Sequence, residues 1–465
     1  MSQIEPASAT FAGMDSRPRQ PMRPASLMDP RGCPVSTFST KALEHTETAQ
    51  RRLLSYFGDP IEALDAAIAE DPGWSLPRVM KANALLTLAE HGWNELAAQC
   101  VDEALALTAR YNERERAHLA ATRLCLRGQW AQACDAWERI LVAHPQDLAA
   151  LLPAHLFDFY RGDSRNLQRR VTRVLPRWSK SAPLYSFVLG MHAFGLEENN
   201  HYQLAHETGE AALALDRRDP WAVHAVAHVH EMQGQFEAGS AWLQECTPDW
   251  APENAFAFHN WWHLALFQLE QGNTAAAVSL LDEQVAPGAE LAVQRVDVTA
   301  LMWRLRLMGV DLGQRWQANA DAWPVRTQEA GFYAFNDLHA ALAQIGAGRL
   351  DAVLELTAAV QQRAQEQTIT GMMAREVGLP LLQGMLAYAG EQHVEAVGIL
   401  WDVRDALQRF GGSHAQRDLV EQTLLDTAIH AGEKNLALHL LGDRLLMKSR
   451  SPLTQYWAGR VERML

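Results

Sequence analysis

Apolar residues recur at helical spacing from about residue 40 to the end of the chain. Ala, Leu, Glu, Gln and Arg dominate this region, and the strict alternation of apolar and polar residues that marks a β-strand is scarce. Because these residue types favour helices, the pattern predicts an all-α protein. Residues 1–36 differ, since they are rich in Pro, Ser, Arg and Met and have no periodicity. We predict a mobile amino-terminal arm over 1–36 and helices over 37–465.

A helix–turn–helix unit is visible in RGQWAQACDAWERILVAHP, residues 127–145. Its Ala133, Trp137 and Pro145 resemble the second half of a tetratricopeptide repeat, where a small residue lets two helices approach and an aromatic residue fills the gap between repeats. Turn glycines recur at Gly92, Gly128, Gly162, Gly234, Gly272, Gly348, Gly390 and Gly432. The resemblance implies one α-α superhelix over residues 37–465, with about ten helix pairs.

The register of these repeats gathers histidines on one surface. In the tetratricopeptide repeat the first helix of each pair lines the concave face, at one stripe of positions counted back from the turn. Counting back from Gly234 and Gly272 places these residues on the concave face: His224, His228 and Glu231 in one repeat, and His259, Trp262 and His263 in the next. The same count adds Phe194, Glu197, His339, Gln422 and Asp426 from other repeats.

Four imidazoles on two neighbouring inner helices predict a polar pocket in an otherwise apolar groove. Three uses compete. A cluster that only packs would leave several buried polar groups unsatisfied, at about 1–3 kcal/mol each. A recognition site would bind a small molecule or a peptide, and we rank this use first. An enzyme is the alternative, a metal-dependent or acid–base hydrolase with His228, Glu231 and His263 as catalytic residues.

The metal alternative has a defined ligand set. His224, His228, His259 and His263 form two H-x3-H pairs, a spacing that suits one divalent ion such as Zn or Fe. The HExxH order, in which the same helix also carries the base, is missing from the sequence. The sequence therefore leaves open both whether a metal is bound and whether the protein is catalytic.

Charge and cysteine usage restrict the partners. The formal net charge is −14, which argues against nucleic acid and against an anionic membrane surface as partners. No stretch approaches the roughly 18 uncharged apolar residues of a spanning helix. The five cysteines are scattered without metal-ligand spacing, which is typical of reduced thiols in the cytoplasm. We expect a soluble cytoplasmic protein, and the sequence leaves monomer and homodimer open.

Longer stretches carry a more specific resemblance. DPWAVHAVAHVHEMQG, FHNWWHLALF, YSFVLGMHAFGLEE and GGSHAQRDLVEQTLLD resemble the tetratricopeptide repeat protein 38 family over about residues 45–465. The resemblance implies a helical repeat superhelix and no settled activity. It adds Asp337 of FNDLH, and His414, Arg417 and Asp418 of GGSHAQRD, to the candidate ligand-binding residues. We expect the curvature to bring GGSHAQRD opposite the histidine pairs, with Arg417 as an anion contact.

Overall fold

The computed structural model describes residues 27–107, 110–324 and 328–464, and these contain helices and no β-strand. The first half of the chain contains α1 (Thr40–Ser55), α2 (Pro60–Glu70), α3 (Leu76–Leu86), α4 (Asn94–Leu105), α5 (Glu113–Leu126), α6 (Trp130–Ala143), α7 (Leu148–Tyr160), α8 (Ser164–Val174), α9 (Tyr185–Glu197), α10 (Tyr202–Leu213), α11 (Pro220–Met232) and α12 (Phe236–Glu245).

The second half contains α13 (Thr247–Trp250), α14 (Ala257–Glu270), α15 (Thr274–Leu280), α16 (Ala292–Leu307), α17 (Arg315–Ala322), α18 (Ala334–Gly346), α19 (Leu350–Arg363), α20 (Ile369–Met373), α21 (Leu379–Ala389), α22 (His393–Val403), α23 (His414–His430), α24 (Lys434–Lys448) and α25 (Pro452–Glu462). No helix in the described ranges is long and apolar enough to cross a membrane.

Consecutive helices pack as pairs, and successive pairs stack into an all-α superhelix of the tetratricopeptide type, which confirms the predicted fold class. Ala133 and Trp137 of α6 are fully buried, as the repeat pattern requires. Six of the eight turn glycines have positive φ, whereas beside Gly92 and Gly390 the left-handed residues are Ala89 and Glu391. The glycine count is therefore a sound guide to register in the repeats that carry the histidines.

The superhelix closes on itself. The inner helix α23 packs against α16 and α11, and Trp303 Nε1 of α16 donates to Thr423 Oγ1 of α23 over 2.9 Å. On the opposite side, Trp221 Nε1 of α11 donates to the carbonyl of Leu54 at the end of α1 over 2.9 Å. The inner helices are consequently buried on almost every side, which explains why α11 and α14 are apolar around most of their circumference.

Residues 27–36 correct the predicted arm. They form a compact loop in which Met28 and Pro34 pair as an isolated β-bridge. Arg31 binds Glu47 of α1 through two hydrogen bonds of 2.6 and 2.8 Å, and Val35 is buried against α1, α2 and α3. The prediction of a mobile arm is wrong for 27–36, because a buried ion pair and a buried apolar residue fix this segment, while residues 1–26 lie outside the described residues.

Candidate functional site

Four imidazole rings converge between α11 and α14. His224 and His228 come from α11, and His259 and His263 come from α14. Ring-centroid distances are 4.4 Å between His224 and His228, 4.5 Å between His228 and His263, and 4.8 Å between His224 and His259. All four residues are buried, and one nitrogen from each lies within 4.8 Å of the others. The four histidines that the count from the turn glycines assigned to one face therefore lie together.

Carboxylates lie against the Nδ1 atoms of three of the four rings. The pairs are His259 with Asp297 at 2.6 Å, His263 with Glu231 at 3.0 Å, and His228 with Glu197 at 3.2 Å. The contacts with Asp297 and Glu231 are hydrogen bonds, which place a proton on Nδ1 of His259 and His263 and leave their Nε2 lone pairs free for a metal ion. This is the usual environment of histidines that bind metals in proteins. Neither ring nitrogen of His228 has a hydrogen-bond partner.

The Nε2 atoms of the four rings differ in their contacts. Those of His228 and His263 are buried without a hydrogen-bond partner, and those of His224 and His259 lie 3.1 Å apart. Two nitrogens bound about 2.0–2.1 Å from one tetrahedral ion would be separated by a little over 3 Å. The separation and the unpaired lone pairs are therefore compatible with a single metal ion.

Burial favours the neutral form of the imidazole rings and disfavours the ionised form of the carboxyl groups. It lowers the pKa of His228 to about 4, and together with the neighbouring imidazoles it lowers the pKa values of His224 and His263 well below 6.5. Burial, followed by the adjacent Glu198, raises the pKa of Glu197 well above its usual value. Burial also raises the pKa of Asp297, although His259 opposes it. Neutral imidazole binds metal ions, and a cation at the centre would stabilise the ionised carboxylates.

An apolar cavity of about 390 Å³ reaches the cluster from one side, where His224 and His259 form its end. Its walls are mainly aromatic and aliphatic and include Tyr56, Phe159, Phe194, Trp221 and Phe256. Ser413 and Gln416 of α23 also line it, so the closure of the superhelix supplies one wall. A mainly apolar cavity therefore adjoins the cluster and is lined by two of its imidazoles.

Other predicted residues surround the cluster. Phe194 packs on His224 with ring centroids 5.0 Å apart. Trp262 stacks on His259 at 5.2 Å and an interplanar angle of 14°, but it is fully buried, so it supports the ring without facing the cavity. The backbone nitrogen of His414 donates to Glu198 Oε1 over 3.2 Å, and Arg417 lies 3.7 Å from Glu198 Oε2. The start of α23 therefore lies beside Glu198 and lines the same cavity as His224.

Five predicted residues lie outside the cluster, which corrects the single pocket inferred from register. Asp418 binds Arg444 at 2.9 Å and Gln422 at 2.6 Å, beside a separate cavity of about 460 Å³ between α23 and α24. His339 Nδ1 donates to the Phe335 carbonyl, Asp337 accepts from Gly331 N, and Asp426 accepts from Tyr388 and Arg460. Register fixes only the face of a helix, and these positions lie at other levels of a curved stack.

Three residues of the site were absent from the sequence prediction. They are Asp297 of α16, which faces His259, Glu198, which faces Arg417, and Lys448, whose Nζ lies 3.7 Å from Glu231. A signal existed for Asp297, because it is a single acidic residue at the start of the apolar run VDVTALMW. An isolated charge in a buried helix usually has a specific partner.

Comparisons with known proteins give likenesses among solved structures. No family model matches the chain. A monomeric mutant of IFIT1 with Gppp-AAAA is 13% identical over 90% of this chain and 100% of its own length, with a TM-score of 0.40. A human IFIT1 dimer with m7Gppp-AAAA is 12% identical over 92% of this chain and 96% of its own length, with a TM-score of 0.41.

Proposed function

We propose that this protein binds one divalent transition metal through its histidine cluster and a small molecule in the adjoining cavity. The observation that carries the proposal is the convergence of one ring nitrogen from each of four buried imidazoles, three of which have a carboxylate oxygen within 3.2 Å of Nδ1. The arrangement supplies both the imidazole nitrogens that would bind the ion and the carboxylates that would orient the imidazoles. It goes beyond what packing of four histidines would need.

A purely structural histidine cluster is the competing explanation. It would leave the Nε2 atoms of His228 and His263 and both carboxylate oxygens of Glu197 buried without hydrogen-bond partners. Each unsatisfied buried group costs about 1–3 kcal/mol, and an uncompensated buried charge costs more. A bound divalent ion removes both costs, and this difference favours the metal site.

All-nitrogen ligation indicates the kind of ion. Imidazole suits Zn, Fe, Cu and Ni, whereas Mg and Ca prefer oxygen ligands. We propose Zn or Fe, in agreement with the H-x3-H spacing.

The cavity favours a small molecule over a peptide. An extended peptide needs an open concave groove, but here α23 packs across that side against α11 and α16. Within the described residues, Arg52 is the only lysine or arginine on the cavity wall, and its guanidinium is bonded to Glu62 and to the Asp59 carbonyl. A nucleic-acid ligand needs phosphate contacts from free cationic groups, so we propose no nucleic-acid partner.

The metal site is tested by measuring the metal content of purified protein by inductively coupled plasma mass spectrometry. We expect close to one equivalent in the wild type and its loss in His228→Ala and His263→Ala. His230→Ala is the matched control, because His230 lies on the same helix α11 but outside the cluster and binds Gln235 at 3.0 Å. Absence of metal in the wild type, even after incubation with Zn²⁺ or Fe²⁺, would refute the proposal.

An enzyme that acts on the same small molecule is the second candidate, favoured by a cavity that reaches His224 and His259. In this version the role of Glu231 changes, because its contacts with His263 and Lys448 make it an orienting group and not a free general base. Metal-dependent hydrolysis of a panel of small esters, lost in His263→Ala and retained in His230→Ala, would support it.

Family and location complete the proposal. We propose that the chain belongs to the tetratricopeptide repeat protein 38 family, on the strength of the HAVAHVHE, HNWWH and GGSHAQRD blocks. We also propose a cytoplasmic location, since all five cysteines are free and four of them are buried. Buried free cysteines behave as small apolar residues and are typical of a reducing compartment.

A further inference from the structure

The four imidazoles are not equivalent. Resting on the metal site proposed above, we propose that His228, His259 and His263 hold the ion, while His224 occupies a fourth, exchangeable position. We further propose that the ligand that takes this position is an apolar molecule with a single monoanionic oxygen head, such as a monocarboxylate. Three features support this assignment: the orientation of the rings, the direction of access from the cavity and the charge around the cluster.

Orientation separates His224 from the other three rings. His228, His259 and His263 each have a carboxylate at Nδ1, between 2.6 and 3.2 Å away. The one polar contact of His224 within the described residues is between its Nε2 and His259 Nε2, at 3.1 Å. Otherwise it packs on Phe194 and Phe256, with centroids 5.0 and 5.3 Å away. Asp297 and Glu231 hydrogen-bond the rings of His259 and His263, and complete burial confines His228, whereas the ring of His224 has no carboxylate partner and can turn aside at a lower cost.

Access points to the same residue. His228 and His263 are fully buried and do not border the cavity. His224 and His259 line its end, but His259 is fixed by the 2.6 Å contact with Asp297. A molecule entering from the cavity therefore reaches the ion at the position of His224. Three protein ligands and one open position are the usual arrangement of a metal ion that binds an exogenous molecule.

Charge and lining define the ligand. Glu197, Glu231 and Asp297 already lie against the rings, so a head with more than one negative charge would meet repulsion at the centre that no further cation on the cavity wall offsets. The body of the ligand meets aromatic and aliphatic walls with no free charged group among the described residues. A second charge at the far end of the ligand would be buried without a partner. These conditions describe an amphiphile with one anionic end.

The experiment uses Co²⁺, because its visible d–d spectrum reports the number of ligands. Wild type, His224→Ala, His228→Ala and His230→Ala proteins are loaded with Co²⁺ and titrated with acetate, hexanoate and adipate. We expect His224→Ala to keep close to one equivalent of Co²⁺ with an altered spectrum, and His228→Ala to lose it. Hexanoate should change the wild-type spectrum and bind roughly 200-fold more tightly than acetate, from about four-fold per buried methylene.

Adipate is the matched control for the ligand, since it differs from hexanoate by a second carboxylate at the far end. We expect adipate to bind more than about tenfold more weakly than hexanoate. Equal binding of the two, binding that is independent of chain length, or no response to hexanoate would overturn this inference.

The outcomes also separate this inference from the metal site itself. Failure of the wild type to bind Co²⁺ refutes the metal site, whereas loss of Co²⁺ in a folded His224→Ala refutes only the exchangeable role of His224. If His224→Ala does not fold, as judged by circular dichroism, the hexanoate titration of the wild type decides alone.

Discussion

Asp297 holds His259 in the orientation that the proposed metal site requires. It is fully buried on α16, and its Oδ2 lies 2.6 Å from His259 Nδ1. The sequence revealed the four histidines, because helical phase can be counted from local turns. It did not reveal Asp297 as a partner of His259, because the two residues are 38 positions apart and their contact depends on how α14 and α16 pack. Only the packing of the folded chain reveals such a pair.

Asp297→Asn tests the orienting role. An amide cannot stabilise the imidazole as a carboxylate does, so we expect metal affinity to fall by about 10- to 100-fold while the metal can still bind at saturation. Competition with a chromophoric chelator measures the change. Asp282→Asn is the control, because Asp282 pairs with Arg315 at the surface, and its affinity should match the wild type.

Asp147 shows the same chemistry in a purely structural setting. It is fully buried and accepts from Arg114 Nε at 2.6 Å, with His118 Nε2 at 2.8 Å. Burial would raise its pKa, but Arg114 and His118 outweigh burial and hold the pKa well below 3.8. Its contribution to stability is therefore present above about pH 4 and is lost as the pH falls through the folded-state pKa.

We expect Asp147→Asn to lower the free energy of unfolding by about 3–5 kcal/mol at pH 7, because Arg114 becomes a buried charge without its partner. The difference between wild type and variant should shrink as the pH falls below about 4. Urea denaturation at several pH values measures both effects. A difference that is unchanged at acidic pH would contradict the assigned pKa direction.

At the scale of elements, the turn between α7 and α8 joins two distant repeats. Gly162 has φ of 68°, and a Cβ there would lie 1.6 Å from the carbonyl oxygen of Gln408. The sequence identified Gly162 as a turn residue from its place in the repeat. The sequence could not predict the contact with Gln408, because a repeat pattern specifies contacts between neighbouring repeats and not the curvature of the whole stack.

Gly162→Ala should therefore destabilise the protein more than Gly348→Ala. Both positions have positive φ, but a Cβ at Gly348 meets nothing within 4 Å. We expect about 1 kcal/mol for the strain at Gly348 and at least about 2 kcal/mol more at Gly162, where the backbone must move. Thermal unfolding of the two variants provides the measurement, and equal shifts would show that the close approach to Gln408 is unimportant.

At the scale of the whole molecule, contacts across more than 160 residues join the first repeats to repeats in the middle of the array. Trp221 reaches Leu54, and Glu90 between α3 and α4 accepts from Ala292 N at 2.9 Å and binds Arg295 at 3.0 Å. The sequence predicted the fold class and the inner face of two repeats. It could not predict closure, because in a repeat protein each unit contacts its neighbours through its own pattern, whereas closure depends on small rotations that add up along the array.

Glu90→Ala tests the closure. It removes the acceptor of a buried backbone N–H and the partner of Arg295, so we expect a loss of about 2–4 kcal/mol in the free energy of unfolding. Glu103→Ala is the control, since Glu103 pairs with Arg78 at the surface and should contribute less than about 1 kcal/mol. Guanidinium denaturation distinguishes the two, and equal effects would argue that the Glu90 contacts do not stabilise closure.

The packing of α23 against α11 and α16 has a mechanical consequence. Open repeat arrays lengthen and shorten like a coil spring, because small rotations between units accumulate along their length. In this chain α23 packs across the interior of the superhelix, so stretching the superhelix would require breaking contacts between helices that are distant in the sequence. The imidazole rings contributed by two successive repeats are therefore held at a constant separation, so the metal site proposed for them would be rigid although repeat arrays are normally elastic.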